Sequence, residues 1–273
     1  MLNVSFKGQK NMKIGVFDSG LGGLTVARAI VDSLPEIDMI YFGDTARTPY
    51  GSKSRDTVIR YACENTEFLI HKGAQLIVMA CNTAASVATD VLRNKYALPI
   101  FEVITPAAAL VSSMKNTKRV GIIGTRATIN SNVYTDKISA LRPDISVFSI
   151  PCPLLVPLVE EGWIQKPETR MIVKKYLHPL KVRQIDTLIL ACTHYPILKP
   201  IIQKKIGRRV NVIDSAQAVA RQLVLYFKET ESSQRNENQK GSCQFYVSDI
   251  TPYFEKIAQS IFKRQIPLKV ADN

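Results

Sequence analysis

The 273-residue chain has only three histidines, and its five cysteines never fall into a C-x-x-C or comparable ligand spacing. A cysteine-held metal therefore has no support in the sequence. No apolar run approaches the roughly 20 residues that cross a bilayer, which argues against a membrane-spanning protein. Residues Met1–Asn11 hold no apolar core of the kind a secretion signal needs; residues 1–12 are expected to form a short extension ahead of the first strand. Without such a signal, the thiols are expected to be reduced, in the cytoplasm. The glycine-rich stretch Asp18-Ser-Gly-Leu-Gly-Gly23 lacks the G-x-G-x-x-G spacing of a dinucleotide fingerprint. Its glycines are better suited to letting the backbone approach a small ligand. No recognition-helix, zinc-finger or RNA-binding signature accompanies the basic residues.

What is present is an ordinary globular composition, 46% hydrophobic and 22% charged, with a net charge of +13. Lys and Arg are scattered, which reads first as a solvated basic surface, then as help in steering a dianionic substrate, and last as a polyanion site. The most informative feature is a pair of matched segments, Val78-Met-Ala-Cys81-Asn-Thr83 and Ile189-Leu-Ala-Cys192-Thr-His194. Each is an apolar run ending in Ala-Cys and a small polar residue. That pattern describes a buried strand delivering a thiol at its C-terminal end, where a helix is expected to begin. A lone cysteine is usually a small buried hydrophobe. Two in matched contexts point to two similar halves, each supplying one thiol to a shared site. Opposed thiols suit removal of a proton from one face of a carbon and its return to the other.

Strands and helices alternate along the chain, with connections of a length that implies mainly parallel α/β sheets with helices on both faces. Strands are expected at Lys13–Phe17, Asp38–Gly43, Gln75–Ala80, Pro99–Ile104, Arg119–Gly124, Ser146–Ile150, Thr187–Ala191, Val210–Ile213, Gln244–Ser248 and Leu268–Val270. Thr105-Pro106 reads as an N-cap followed by proline at the first helical position, and marks the crossing into the second domain. The domains expected are 13–105, completed by 216–273, and 106–215, two similar units with the site in the cleft between them. Glu229–Gly241 reads as an exposed polar loop. In such folds ligands bind at the carboxyl ends of strands, where Asp18, Asp44, Cys81 and Cys192 fall.

The motifs Asp18-Ser-Gly-Leu-Gly-Gly23, Gly43-Asp44, Pro49-Tyr50-Gly51, Ala80-Cys81-Asn82-Thr83-Ala84, Gly124-Thr125, Pro157-Leu-Val-Glu160 and Ala191-Cys192-Thr193-His194-Tyr195-Pro196 occur in that order. Together they resemble the motif set of bacterial glutamate racemase, of the aspartate/glutamate racemase family. The resemblance implies an enzyme that interconverts L- and D-glutamate without a cofactor and supplies D-glutamate for peptidoglycan. It implies that Cys81 takes the α-proton from the D-enantiomer and Cys192 from the L-enantiomer. It also implies that Asp18 assists Cys81, and that Glu160 and His194 assist Cys192. Ser19, Tyr50, Gly51, Asn82, Thr83 and Thr193 are implied as substrate-binding residues, together with Asp18 and His194. A homodimer is expected from the family; no metal, membrane, nucleic-acid or topoisomerase partner is.

Elementary chemistry runs alongside. A thiol has a pKa of about 8.5 and acts as a base only as thiolate, which a helix N-terminus favours. Donors near the α-carboxylate, where enolate-like charge develops, would lower the barrier most, and Asn82, Thr83 and Thr193 directly follow the cysteines. Other readings stand beside these. Asp18 also fits a helix cap after the glycine turn. Glu161 competes with Glu160, and Cys63, Cys152 and Cys243 fit packing roles. The same thiol chemistry on aspartate, a polyanion- or topoisomerase-binding regulator, and a thiol hydrolase are the alternative functions; the last leaves one Ala-Cys segment without a task.

Overall fold

The computed structural model describes residues 12–230, 240–250 and 252–271. The expected N-terminal extension and most of the expected polar loop at 229–241 fall outside them.

Six strands form the first sheet: β1 (Lys13–Asp18), β2 (Asp38–Gly43), β3 (Leu76–Met79), β4 (Ile100–Glu102), β9 (Cys243–Val247) and β10 (Leu268–Val270). Their order is β10-β9-β2-β1-β3-β4 and every pairing is parallel. The second sheet holds β5 (Arg119–Gly124), β6 (Ser146–Pro151), β7 (Thr187–Ala191) and β8 (Asn211–Asp214), in the order β6-β5-β7-β8, again all parallel. The order β2-β1-β3-β4 is thus repeated as β6-β5-β7-β8. Strands such as Leu76-Ile-Val-Met79 and Thr187-Leu-Ile-Leu-Ala191 are buried at every residue. That is the expected signature of parallel strands covered on both faces. The two similar α/β units anticipated from the Ala-Cys repeat are therefore present.

In each sheet the chain leaves the first strand to one side and returns to pair on the other. The crevice so created lies between β1 and β3 in one sheet and between β5 and β7 in the other, the place where open α/β sheets bind ligands. Register fixes what emerges there. Phe17 pairs with Met79, so Asp18 and Ser19 leave the first sheet level with Ala80 and Cys81. Gly124 pairs with Ala191, so Thr125 and Cys192 leave the second.

Eleven α-helices cover the sheets among the described residues: α1 (Leu24–Ser33), α2 (Arg55–His71), α3 (Asn82–Lys95), α4 (Ile104–Ser113), α5 (Arg126–Asn130), α6 (Val133–Leu141), α7 (Leu155–Glu160), α8 (Pro167–Val182), α9 (Lys199–Ile206), α10 (Ser215–Thr230) and α11 (Pro252–Phe262). α1 packs against α10 and α11, whereas α2 packs against α3. α2 ends as expected at Gly73, whose φ of +93° only glycine adopts freely.

The structure corrects four local expectations. The strand at Pro99–Ile104 is only Ile100–Glu102, and Thr105 does not cap the helix after it. α4 already begins at Ile104, because the Glu102 carboxylate accepts from the backbone N–H groups of Ile104 and Thr105. A buried carboxylate is the stronger cap, and the Thr105 hydroxyl is left without a partner. The sequence pattern predicts a helix over Glu168–Leu177, but α8 continues to Val182 through Pro179. Lys175 and Pro179 lie on its exposed face, so water can satisfy the carbonyl that proline frees. α5 and α9 are short helices that the sequence reading did not anticipate. Finally, no α-helix starts directly behind Cys192: a one-turn 3-10 helix, Tyr195–Leu198, intervenes before α9.

Candidate active site

Both thiols open onto one small cavity at the seam between the sheets. Ser19, Tyr50, Gly51, Cys81, Asn82, Thr83, Cys192, Thr193 and His194 line it, joined by Pro49, Thr125 and Val156. Its volume of about 10 Å³ leaves room for roughly one water, so the site is closed to a molecule the size of glutamate. Asp18 and Glu160 do not line it; each stands behind a residue that does.

The surroundings of the two thiols differ. Cys81 is the N-cap of α3, and its sulfur accepts from the Ala84 N–H at 3.5 Å while donating to the Ser19 hydroxyl at 3.5 Å. Burial, and then the negative charge of nearby Asp18, push the Cys81 thiol up to about 12, although the bonds from Ser19 and Ala84 act the other way. Cys81 is therefore a protonated thiol at neutral pH in the closed site. On the other side, the Cys192 sulfur lies 3.8 Å from His194 Nδ1, and His194 Nε2 lies 2.6 Å from Glu160 Oε1. Burial opposes the imidazolium, yet Cys192 and Glu160 together hold His194 well above its ordinary pKa. The work that a helix N-terminus does at Cys81 falls here to a histidine–glutamate pair.

Asp18 is wholly buried. One oxygen accepts from the N–H groups of Gly20 and Gly23, at 3.1 and 2.9 Å, and the other accepts from the Thr193 hydroxyl at 3.1 Å. It thus caps the glycine turn and also ties the first half of the molecule to the second. Burial raises its pKa, the positive field of His194 being the main opposing influence. Of the two adjacent glutamates, Glu160 carries the bond to His194, and Glu161 is exposed.

Several binding candidates are committed to neighbours. The Tyr50 hydroxyl donates to Asp44, whose carboxylate is also held by Arg47, so Tyr50 turns its ring and backbone to the cavity. Asn82 Oδ1 accepts from the Tyr134 hydroxyl at 2.7 Å, and its Nδ2 lies 3.5 Å from the Ser215 hydroxyl. The Thr83 hydroxyl meets those of Thr125 and Thr128 at 2.9 and 3.3 Å. Ser19 and the backbone around Gly51 remain the more available donors, since the Thr193 hydroxyl is held by Asp18. Cys63, Cys152 and Cys243 do not line the cavity. Thr125 was absent from the expected site residues. Its signal was its place at the end of a strand, the same logic that singled out the cysteines. Tyr134 and Ser215 carry no local signal, because tertiary packing alone brings them to Asn82.

Residues 23–223 match the family model of the Asp/Glu/hydantoin racemases. The chain belongs to that family. Its relatives within the family include the glutamate racemase of Syntrophus aciditrophicus, 43% identical over 254 residues, which are 93% of this chain and 94% of that one. Among solved structures, the glutamate racemase of Bacillus anthracis superposes with a TM-score of 0.91 at 36% identity, covering 97% of this chain and 98% of that one. The glutamate racemase of Francisella tularensis in complex with D-glutamate superposes with a TM-score of 0.87 at 37% identity, with the same coverage. As in these racemases, the fold is two α/β units with parallel sheets.

The buried acids of this racemase-family chain set its alkaline stability. Burial raises the pKa of Cys81, Cys152, Tyr41, Tyr134 and Tyr195. Unfolded, these groups ionise near their ordinary values, 9.0 for the thiols and 10.0 for the phenols. The folded chain then keeps protons that the unfolded chain releases, so stability is fully present below pH 9 and falls as pH rises. His194 acts in the same direction, its contribution being lost as pH climbs through its raised folded pKa. Each group still protonated when folded costs about 1.4 kcal/mol per pH unit once its unfolded form has ionised. Thermal melts should therefore show Tm dropping steeply between pH 9 and 10.5. A flat Tm across that range would contradict the assignment.

Proposed function

We propose that the chain is a glutamate racemase in which Cys81 and Cys192 are the two acid–base groups, on opposite faces of the substrate α-carbon. The observation that carries this reading is the placement of both thiols, each at the crevice of its own parallel sheet, on one closed cavity. The relatives' stated activity on glutamate and the hydroxyl- and amide-rich lining support the substrate. Domains 13–105 with 216–273, and 106–215, are proposed as the two bodies whose approach forms the cavity. Proton movement is assigned to thiols, imidazole and carboxylates.

The chemistry follows from the asymmetry. A thiol buried beside Asp18 does not ionise by itself, so arrival of substrate must change its field. The α-ammonium of glutamate brings the compensating positive charge, and Asp18, whose charge acts on the Cys81 thiol, is assigned to assist its proton transfer. At Cys192, His194 exchanges a proton with the sulfur while Glu160 fixes its tautomer and supports its charge. One thiolate removes the α-proton, charge spreads onto the α-carboxylate, and the other thiol delivers its proton to the opposite face. Ser19 and the backbone around Gly51 meet the substrate first, and Asn82, Thr83 and Thr193 hold that carboxylate by exchanging their present hydrogen bonds for it. L- and D-glutamate are the partners of the site. Supply of D-glutamate for peptidoglycan in the cytoplasm, by a homodimer, is the cellular role proposed.

Polarimetry of the purified, reduced protein with L- or D-glutamate tests the reading. The optical rotation should decay to zero at the same rate constant with or without chelator and without added pyridoxal phosphate. Persistence of the rotation, or turnover of aspartate in preference, would reject glutamate as the substrate.

A further inference from the structure

The closed site needs a route by which a molecule the size of glutamate reaches it. A second cavity, with a volume of about 470 Å³ and open to solvent, lies directly beside it. Three segments supply both cavities in succession. Pro49-Tyr50-Gly51 faces the closed site and Lys53 and Arg55 face the open one; Asn82 and Thr83 face the former, Thr83 and Ser86 the latter; Thr125 faces the former, Ala127 and Asn130 the latter. Thr83 is common to both, and its hydroxyl contacts with Thr125 and Thr128 form the partition between them. That partition crosses the seam, since Thr83 lies in the first turn of α3 behind the first sheet and Thr125 is the N-cap of α5 behind the second.

The open cavity has a distinctive charge. Lys53 and Arg55 line it and are exposed, and neither has an ion-pair partner among the described residues. No carboxylate lines it. Cation-lined clefts with low-dielectric walls concentrate anions and raise their rate of capture. Resting on the racemase reading above, the geometry points to this cavity as the entry vestibule for dicarboxylate amino acids. Lys53 and Arg55 capture a substrate carboxylate there, and parting of the Thr83–Thr125 contact admits the molecule to the thiols. Because both enantiomers are substrate and product in turn, the same passage serves entry and release.

Three variants outside the catalytic machinery test this, with wild-type racemisation of glutamate established first so that failure of the reading and of the vestibule are told apart. The pair Lys53→Glu/Arg55→Glu should lower kcat/KM about tenfold near 10 mM ionic strength, with the deficit shrinking to within twofold at 0.5 M salt. The pair Arg208→Glu/Arg209→Glu makes the same change in net charge just ahead of β8, at the opposite edge of its sheet, and should stay within twofold of wild type throughout. Asn130→Trp, which fills the passage from its exposed rim, should lower kcat and kcat/KM together by about tenfold. The isotope effect on kcat/KM from α-deuterated glutamate should then collapse toward one, because passage rather than proton transfer has become limiting. Wild-type kinetics in Asn130→Trp, or a loss with an undiminished isotope effect, overturns the vestibule. So does a charge-reversal effect that is independent of salt or equalled by the Arg208/Arg209 pair.

Discussion

Cys81→Ala and Cys192→Ala are each expected to reduce racemisation by about 10³-fold or more, in both directions, while leaving the protein folded. A positioned acid or base contributes 10²–10⁴-fold, and here each thiol is base in one direction and acid in the other. Loss of either therefore stops the complete exchange rather than slowing one enantiomer. The two directions cannot diverge in kcat/KM, since the enantiomers have equal free energy in water. Both thiols are small and buried, so replacing sulfur by hydrogen costs about 1 kcal/mol of stability, a typical single-site value. Progress curves from each enantiomer, with a thermal melt of each variant, check the forecast. Either alanine variant racemising at the wild-type rate would remove that cysteine from the mechanism.

The second large effect is expected at a residue with no chemistry of its own. A β-carbon added at Gly22 would sit 2.6 Å from His194 Nδ1, 2.6 Å from Thr193 Oγ1 and 2.7 Å from the His194 backbone nitrogen. No contact so short is tolerated, and because one of the atoms is backbone, the seam itself must widen. Gly22→Ala should therefore push the second half of the molecule away from the first and misalign Cys192 with the α-carbon. Displacements near 1 Å at a reacting centre cost about 10²-fold in rate. The expected fall in kcat/KM is of that order, against a stability loss of only about 1–3 kcal/mol from overpacking. Steady-state kinetics beside a denaturant curve separates the two. An alanine variant with wild-type kcat/KM would show that the closeness of this seam does not matter to catalysis.

Much of this arrangement was legible before the structure. Apolar runs ending in Ala-Cys predicted buried parallel strands, because strands covered on both faces leave no room for alternation. The glycine turn after Asp18 was expected to bring the backbone to a small ligand; at Gly22 the neighbours it approaches are His194 and Thr193. What stayed hidden has physical causes. A carboxylate two residues ahead, Glu102, outcompetes the threonine that looked like the cap of α4. The prolines after Cys192 favour a 3-10 turn over an α-helix, so the second thiol lacks the helix N-terminus that the Ala-Cys repeat led one to expect. Tyr134 and Ser215 reach Asn82 over 52 and 133 residues of chain, a proximity no local pattern encodes. That Asp44 takes the hydroxyl of Tyr50 is likewise set by the fold and not by any local pattern.

The claim on which the whole account turns is that the group removing the α-proton is not the group delivering one. The most direct measurement is racemisation of L-glutamate in deuterated water, with both enantiomers separated at low conversion and their α-deuterium content determined. Each thiol exchanges its proton with solvent between turnovers, so the delivering thiol carries deuterium. The account predicts D-glutamate carrying close to one α-deuterium per molecule while the remaining L-glutamate stays almost entirely protiated, and the mirror result starting from D-glutamate. Deuterium entering the unreacted enantiomer as fast as product forms, or product retaining its original α-hydrogen, would contradict it.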